Sequence, residues 1–187
     1  MRPLRLQAAD TTYHVSTRGN RRGEIVRDDL DRRRFISILR IVVRRRGWIC
    51  HFYCLLTNHY HLLVTTPEPD IAVGMHALNN LTARTFNKRH GHTGHLFERR
   101  YSSAVVKEEG HLLECYRYIA LNPVRAGLCS DPADWPWSSY PATIGRAPVP
   151  DFLNVDGVLA QFSADRKRAQ QLLHEFVLER LTEQRAA

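Results

Sequence analysis

Apolar residues change their spacing along the chain, and these changes predict alternating strands and helices. Residues 11–17 are rich in β-branched and aromatic side chains and run into a glycine-flanked basic loop, which predicts a first strand. Apolar positions then recur at helical spacing over residues 28–46, with acidic residues first and three arginines before Gly47. Because acid at the start and base at the end complement the helix dipole, this segment predicts a helix.

The next segments complete a repeating order of elements. Residues 48–56 and 59–64 are two apolar runs joined at Thr57-Asn58, which predicts an antiparallel hairpin. Residues 71–88 show the helical pattern again, and residues 102–106 predict a fourth strand. The order strand, helix, strand, strand, helix, strand is typical of the α+β class. We therefore expect a ferredoxin-like split β-α-β sandwich in which helices back one antiparallel sheet.

The remaining chain predicts a third helix and a helical appendage. Residues 108–121 predict the helix, which Asn122-Pro123 should end because the residue before a proline avoids the α region. An aromatic segment at residues 135–140 is expected to pack over the sheet or its helices rather than to stack on unpaired bases. Two further helices are expected near the carboxyl end. We thus expect a main domain at residues 1–141 and a C-terminal helical extension at residues 142–187.

The net charge of the chain indicates what kind of partner it binds. The 187 residues contain 27 Lys and Arg against 19 Asp and Glu, for a net charge of +8, and all but three of the basic residues are arginine. Guanidinium groups make bidentate contacts with phosphate, so we expect a nucleic-acid partner, with a basic but inert surface as the alternative. The loop from Arg18 to Gly23 could cradle a phosphate or form a solvated turn.

The spacing of the cysteines and the hydropathy of the chain argue against a cysteine zinc site, a secreted protein and a membrane protein. The four cysteines form no Cys-x-x-Cys zinc pattern, and we expect Cys50, Cys54 and Cys115 to be small buried hydrophobic residues. The sequence contains neither a run of about 18 apolar residues nor the shorter apolar segment of a signal peptide. We therefore expect a reduced, cytoplasmic protein that does not enter a membrane.

Two groups of polar residues are candidates for chemistry. His59 and His61 are two apart on a predicted strand and share one face, where they could form half of a divalent-metal site or simply be exposed. The histidines of residues 90–95 lie in a glycine-rich tract and are not expected to bind metal, since no strand or helix fixes them. Tyr118 and Asn122 lie four apart on one helix face. Tyr118 is therefore either presented for chemistry or half-buried at the helix edge.

Several further segments, taken in order, narrow the identity of the chain. They are Tyr13-His14-Val15-Ser16-Thr17-Arg18-Gly19-Asn20, Asp31 with Phe35, Asn58-His59-Tyr60-His61-Leu62-Leu63, Phe97-Glu98-Arg99-Arg100-Tyr101-Ser102-Ser103, Arg117-Tyr118-Ile119-Ala120-Leu121-Asn122-Pro123-Val124-Arg125-Ala126-Gly127-Leu128 and Trp137-Ser138-Ser139-Tyr140. With them the chain resembles the single-tyrosine HUH transposases of the IS200-like type, and most closely the REP-associated tyrosine transposases. It departs from that family at Thr57, where proline is expected, and this should alter only the turn.

The resemblance implies a catalytic site. Residues 1–141 would form the HUH transposase-like catalytic domain. His59 and His61 would hold a divalent cation, with Asn122 at the place where mobile-element relatives often carry a glutamine ligand. Tyr118 would be the nucleophile that forms a 5′-phosphotyrosine intermediate. Mn²⁺ should suit such a site better than Mg²⁺, which prefers oxygen ligands and water.

The resemblance also implies a role in DNA transposition. The protein would be a metal-dependent endonuclease and strand transferase acting on single-stranded or hairpin DNA at palindromic repeats, as a monomer or a homodimer. A catalytically weak or inactive hairpin-binding protein is the alternative, and RNA binding is a weaker one. The residues expected to contact DNA are Arg18, Asn20, Arg21, Arg22, Arg99, Arg100 and Arg125.

Overall fold

A four-stranded antiparallel sheet lies at the centre of the protein. The structure, a computed structural model, describes the backbone of residues 7–186 and the side chains of residues 7–181. The sheet has the strand order β2-β3-β1-β4. Its strands are β1 Thr11–Arg18, β2 Ile49–Leu55, β3 His59–Thr66 and β4 Ser102–Val105. This order confirms the predicted ferredoxin-like split β-α-β arrangement.

Six α-helices are formed within the described residues, and two short 3₁₀ helices lie between them. The α-helices are α1 Asp29–Arg46, α2 Ile71–His90, α3 Glu109–Arg125, α4 Tyr140–Thr143, α5 Val155–Leu159 and α6 Arg166–Ala186. The 3₁₀ helices are Asn20–Arg22 and Pro132–Asp134. None of the helices within residues 7–186 combines the length and the apolar composition needed to span a lipid bilayer.

Helices cover both faces of the sheet. On one face, α1 and α2 pack together, and Tyr60 of β3 contacts Phe35 of α1 with ring centroids 4.8 Å apart. On the other face lies α3, where Tyr116 packs 5.4 Å from Phe52 of β2. A sheet covered on both faces buries successive strand residues, which explains why β3 is buried along most of its length.

The helix α3 extends further than the sequence indicated. We expected Asn122-Pro123 to end it, but the helix continues through Pro123 to Arg125. The bias of a pre-proline residue is local, and here tertiary packing overrides it, because Leu121, Asn122 and Pro123 are all buried. The amide nitrogen of Ala126 still donates to the Asn122 carbonyl at 2.9 Å. One continuous helix therefore carries both Tyr118 and Arg125.

The chain beyond α3 covers the outer edge of β2. The Leu55 amide donates to the Trp137 carbonyl at 2.9 Å, and the Ser139 amide donates to the Tyr53 carbonyl at 2.9 Å. The aromatic segment at residues 135–140 thus closes a sheet edge, a position that the expectation of packing over the sheet did not include. An exposed edge is a template for unwanted strand pairing, so this cover also protects the sheet.

The two predicted carboxyl-terminal helices are α5 and α6, and the basic run Arg166-Lys167-Arg168 forms the start of α6. The short helix α4 spans the expected boundary at residue 141, and the division into residues 1–141 and 142–187 stays a prediction. Of the four free cysteines, three are buried as expected and Cys129 is partly exposed.

Candidate active site

β3 and α3 together bring the sequence-predicted site residues to one place. The rings of His59 and His61 have centroids 5.2 Å apart on the face of β3 that α3 covers. Tyr118 of α3 lies with its ring centroid 5.3 Å from that of His61, edge to face. The Tyr118 side chain is 41% exposed, whereas His61 is 6% exposed. A tyrosine open to solvent thus stands beside a buried imidazole within a single chain.

His59 has a defined hydrogen-bonding direction. Its Nδ1 atom lies 2.7 Å from Oδ1 of Asn58, and an amide oxygen only accepts, so His59 donates from Nδ1. The orientation of the Asn58 amide is fixed in turn, because its Nδ2 donates to the carbonyl of Arg22 at 3.0 Å. A neutral imidazole carries one N–H. The lone pair of His59 is therefore on Nε2, where a metal ion could use it.

Asn122 is buried beside these rings and offers an oxygen. Its Nδ2 donates to the Tyr118 carbonyl at 2.9 Å, one helical turn earlier. The Asn122 side chain also opposes the lowering of the His59 pKa by burial, which is the effect of a nearby hydrogen-bond acceptor. Because the amide nitrogen is committed to Tyr118, the amide oxygen is left for a partner near His59.

The donor set fits a borderline divalent cation. Within the described part of the chain, no three His, Cys, Asp or Glu side chains form a group able to hold a metal ion. The candidate set is instead two imidazoles and one amide oxygen, in keeping with metals that accept nitrogen ligands. Burial lowers the pKa of His59, with the charge of Arg18 adding to the effect. Burial also lowers the pKa of His61 well below its usual value, so both rings are neutral, as metal ligands must be.

His14 belongs to this cluster and was not predicted as a site residue. Its Nε2 lies 3.1 Å from Nδ1 of His61, and its ring meets the Tyr118 ring edge-on at 5.6 Å between centroids. The sequence signal was weak, because His14 becomes a neighbour of His61 only once the register of β1 against β3 is known. In that register Ser16 pairs with His61, which places His14 on the same face two residues away.

Three of the residues expected to contact DNA lie near the histidines or Tyr118. Arg18 pairs with His59 across β1 and β3, and Arg22 lines a cavity of about 270 Å³ together with His59. Arg21 and Arg22 adopt left-handed backbone conformations, with φ of 52° and 59°, and Arg21 lines a separate cavity together with Phe86 and His95. The guanidinium carbon of Arg125 lies 5.3 Å from the centroid of the Tyr118 ring. Arg125 thus places a positive charge beside the exposed tyrosine, and Arg18 and Arg22 lie beside His59.

The structure does not bring the other expected DNA contacts into the same cluster. Arg99 and Arg100 are exposed on the segment before β4 and line a cavity of about 620 Å³ against α2, on the sheet face opposite α3. Asn20 lies in the loop after β1, where its backbone amide donates to the Leu96 carbonyl at 2.8 Å. Asn20 thus joins the basic loop to the segment that carries the two arginines.

Known proteins resemble this chain both in sequence and in fold. A Haemophilus influenzae protein described as a REP-associated tyrosine transposase is 29% identical over 99 residues, which cover 46% of this chain and 56% of that protein. The match thus spans little more than half the length of the relative. The structure of a REP-associated tyrosine transposase bound to a REP hairpin superposes with a TM-score of 0.67 and 20% identity, over 80% of this chain and 88% of that one. At that identity the likeness shows a shared fold.

The match to a protein family covers more of this chain than the match to the Haemophilus influenzae protein does. The family described as "Transposase IS200 like" matches residues 7–122, which include the two histidines of β3, the exposed tyrosine and the buried asparagine of α3. The matched segment is more than half of the 187-residue chain. The protein therefore belongs to the IS200-like transposase family.

Proposed function

We propose that this protein is a metal-dependent endonuclease and strand transferase that cuts single-stranded DNA at repeat hairpins through a 5′-phosphotyrosine intermediate. The observation that carries the proposal is the position of Tyr118, whose exposed ring packs 5.3 Å from the ring of His61. The relative described as a REP-associated tyrosine transposase and the fold relative bound to a REP hairpin support the choice of substrate. They favour the transposase over a protein that only binds hairpins.

Transposases of this family generally use a divalent metal ion. In this chain His59, His61 and Asn122 would hold it, and two nitrogen ligands favour Mn²⁺ over Mg²⁺. When bound, the ion would polarise the scissile phosphate and offset negative charge in the transition state.

The Tyr118 hydroxyl is the nucleophile. Its oxygen forms a bond to phosphorus as the bond from phosphorus to the 3′ oxygen breaks, so the tyrosine loses a proton and the leaving 3′ oxygen gains one. Arg125 beside the ring stabilises negative charge on the tyrosyl and phosphate oxygens. The phosphotyrosine ester retains the energy of the broken bond. A 3′-hydroxyl of another strand can therefore reverse the attack and complete strand transfer without ATP.

The basic loop after β1 holds the strand that is cut. Arg18 and Arg22 lie beside His59, where their guanidinium groups contact the phosphates next to the scissile bond. Arg21 lines a separate cavity with Phe86 and His95 and would contact the DNA further from that bond. Asn20 connects this loop to the segment of Arg99 and Arg100. These two arginines lie on the other face of the sheet and would contact the paired part of a hairpin that extends around the molecule.

One chain supplies all four proposed site residues. Tyr118 lies against the histidines of its own chain, so a monomer is sufficient for the first cleavage and the homodimer is not required. Because the proposed substrate is genomic DNA, we place the protein in the cytoplasm. The chain beyond residue 141 would serve the catalytic domain through the Asn154 amide, which donates to the Cys50 carbonyl of β2, and through α6, which packs against α3.

A covalent-adduct assay tests the proposal. A labelled hairpin oligonucleotide with a single-stranded flank is incubated with protein and Mn²⁺, and the products are separated under denaturing conditions. We expect a labelled protein band with the wild type and with Tyr116→Phe, because Tyr116 is buried against Phe52. The band should be absent with Tyr118→Phe. Hairpin binding without an adduct in either Mn²⁺ or Mg²⁺ would favour the binding-only protein, and preference for an RNA hairpin of the same sequence would favour RNA binding.

A further inference from the structure

His14 and His61 share one hydrogen bond whose direction decides whether His61 can bind a metal. The two nitrogens, Nε2 of His14 and Nδ1 of His61, are 3.1 Å apart. Each neutral imidazole has one N–H and one lone pair. If His61 donates from Nδ1, its Nε2 keeps a lone pair for a cation. If His14 donates instead, Nε2 of His61 carries the proton and cannot be a ligand.

The two ligand histidines differ in how this direction is set. Asn58 presents an amide oxygen to His59, so only one direction is open there. The acceptor at His61 is a second imidazole, and in the described part of the chain this is the hydrogen bond that the His61 ring makes. Control of the His61 tautomer therefore rests with His14.

We propose that His14 is a positioning residue, which accepts the His61 Nδ1–H at its own Nε2 and so keeps the lone pair of His61 Nε2 available to the cation. The inference rests on the proposed metal site for its purpose. Hydrogen bonds from the second nitrogen of a ligand histidine orient the ring and fix its tautomer, and their loss costs about 10–100-fold in metal affinity. His14 would then fix the tautomer of His61 as Asn58 fixes the tautomer of His59.

His14 also has a packing role, which any variant must respect. Its ring lies 5.2 Å from that of His61 and 5.6 Å from that of Tyr118, so truncation would leave a gap between β1 and α3. His14→Phe keeps a ring and removes the acceptor. His14→Gln keeps an acceptor and removes the ring. Comparison of the two separates the hydrogen bond from the packing.

The test reads the tautomer directly in protein without metal or DNA. Nitrogen-15 correlation spectra of the imidazole groups show which ring nitrogen carries the proton. In the wild type we expect His59 and His61 both to be protonated at Nδ1. In His14→Phe we expect His61 to shift toward the Nε2–H form, and His14→Gln should retain Nδ1–H. His76→Gln is the control, since His76 is an exposed residue of α2, on the sheet face opposite α3.

Calorimetric titration with Mn²⁺ gives the second readout. We expect His14→Phe to weaken Mn²⁺ binding by about 10–100-fold and His14→Gln to recover most of the affinity. An Nε2–H tautomer of His61 in the wild type would overturn the inference, as would wild-type tautomer and affinity in His14→Phe. The tautomer is read without DNA, so a protein that shows it but forms no covalent adduct would refute the proposed function and leave the role of His14 intact.

Discussion

The guanidinium of Arg125 lies 5.3 Å from the ring of Tyr118, seven residues away on α3. The contact exists because α3 continues through Pro123, so that both side chains emerge from the same side of one helix. A positive charge is thus held beside the proposed nucleophile by the backbone itself.

Removal of that charge should slow cleavage without changing the fold. For Arg125→Ala we expect the rate of adduct formation to fall on the order of 10-fold, less than for a buried donor, because Arg125 is exposed and partly screened by solvent. Arg125→Lys should retain part of the rate. Arg33→Ala, at an exposed position of α1, is the control and should cleave like the wild type. An unchanged single-turnover rate in Arg125→Ala would contradict a catalytic contribution.

Metal binding should stabilise the folded protein. A ligand at 100 times its Kd adds about 2.7 kcal/mol, which for a chain of this size raises Tm on the order of 5–10 °C. We expect a shift of this kind with Mn²⁺, reversed by a chelator and absent in the His59→Ala/His61→Ala double variant. His95→Ala alters an exposed histidine of the glycine-rich tract and should keep the shift. A shift that is lost in His95→Ala but kept in the double variant would place the cation site in that tract.

Arg117 joins α3 to α6 and should contribute to stability. Its guanidinium carbon lies 3.6 Å from the centroid of the Phe176 ring, and its side chain is 11% exposed. Desolvated cation–π pairs contribute about 2 kcal/mol. We expect Arg117→Ala to lower the free energy of unfolding by about 2 kcal/mol in a urea titration. Glu179→Gln removes an exposed ion-pair partner and should cost less than about 1 kcal/mol. Equal effects of the two variants would exclude the ring contact as the main source.

Stability should also depend on pH through the junction of α1 and α2. Hydrogen bonds from Arg89 are the main cause of the lowered pKa of Asp28. At Asp31 burial raises the pKa, but hydrogen bonds from the Arg27 amide, Arg89 and His90 outweigh it and lower the pKa overall. A carboxyl group whose pKa is lower in the folded state stabilises the fold above its unfolded pKa of about 4. That contribution is lost as the pH falls through the folded pKa.

Substitution of Arg89 tests this dependence. We expect Arg89→Gln to be less stable than the wild type at neutral pH, and the difference should shrink as the pH falls from about 4 toward about 2. Arg84→Gln, at an exposed position of the same helix, should show little difference at any pH. Chemical unfolding at several pH values measures both. A difference that does not shrink between pH 4 and pH 2 would assign the effect of Arg89 to packing.

The sequence was sufficient where the signal is periodic. Alternation along β3 predicts that His59 and His61 share a face, and helical spacing predicts the same for Tyr118 and Asn122. Neither pattern contains the register between strands, so the sequence did not reveal that His14 meets His61. The prediction that α3 ends at Asn122-Pro123 was wrong. It rested on the local preference of a residue before proline, whereas the burial of these residues against the rest of the protein keeps them helical, and no local pattern shows that burial. Whether residues 137–139 cover a sheet edge likewise depends on which edge the strand order leaves open.

The two hydrogen bonds of Asn58 have a thermodynamic consequence. Asn58 contacts the Arg22 carbonyl on one side and the His59 ring on the other, so a movement of the basic loop must alter the ring's support. Linkage between two binding sites is reciprocal: if DNA on the loop changes the affinity for the cation, the cation changes the affinity for DNA by the same factor. We therefore expect Mn²⁺ and hairpin to bind cooperatively. Equal Mn²⁺ affinity with and without the hairpin would show that the loop does not communicate with His59.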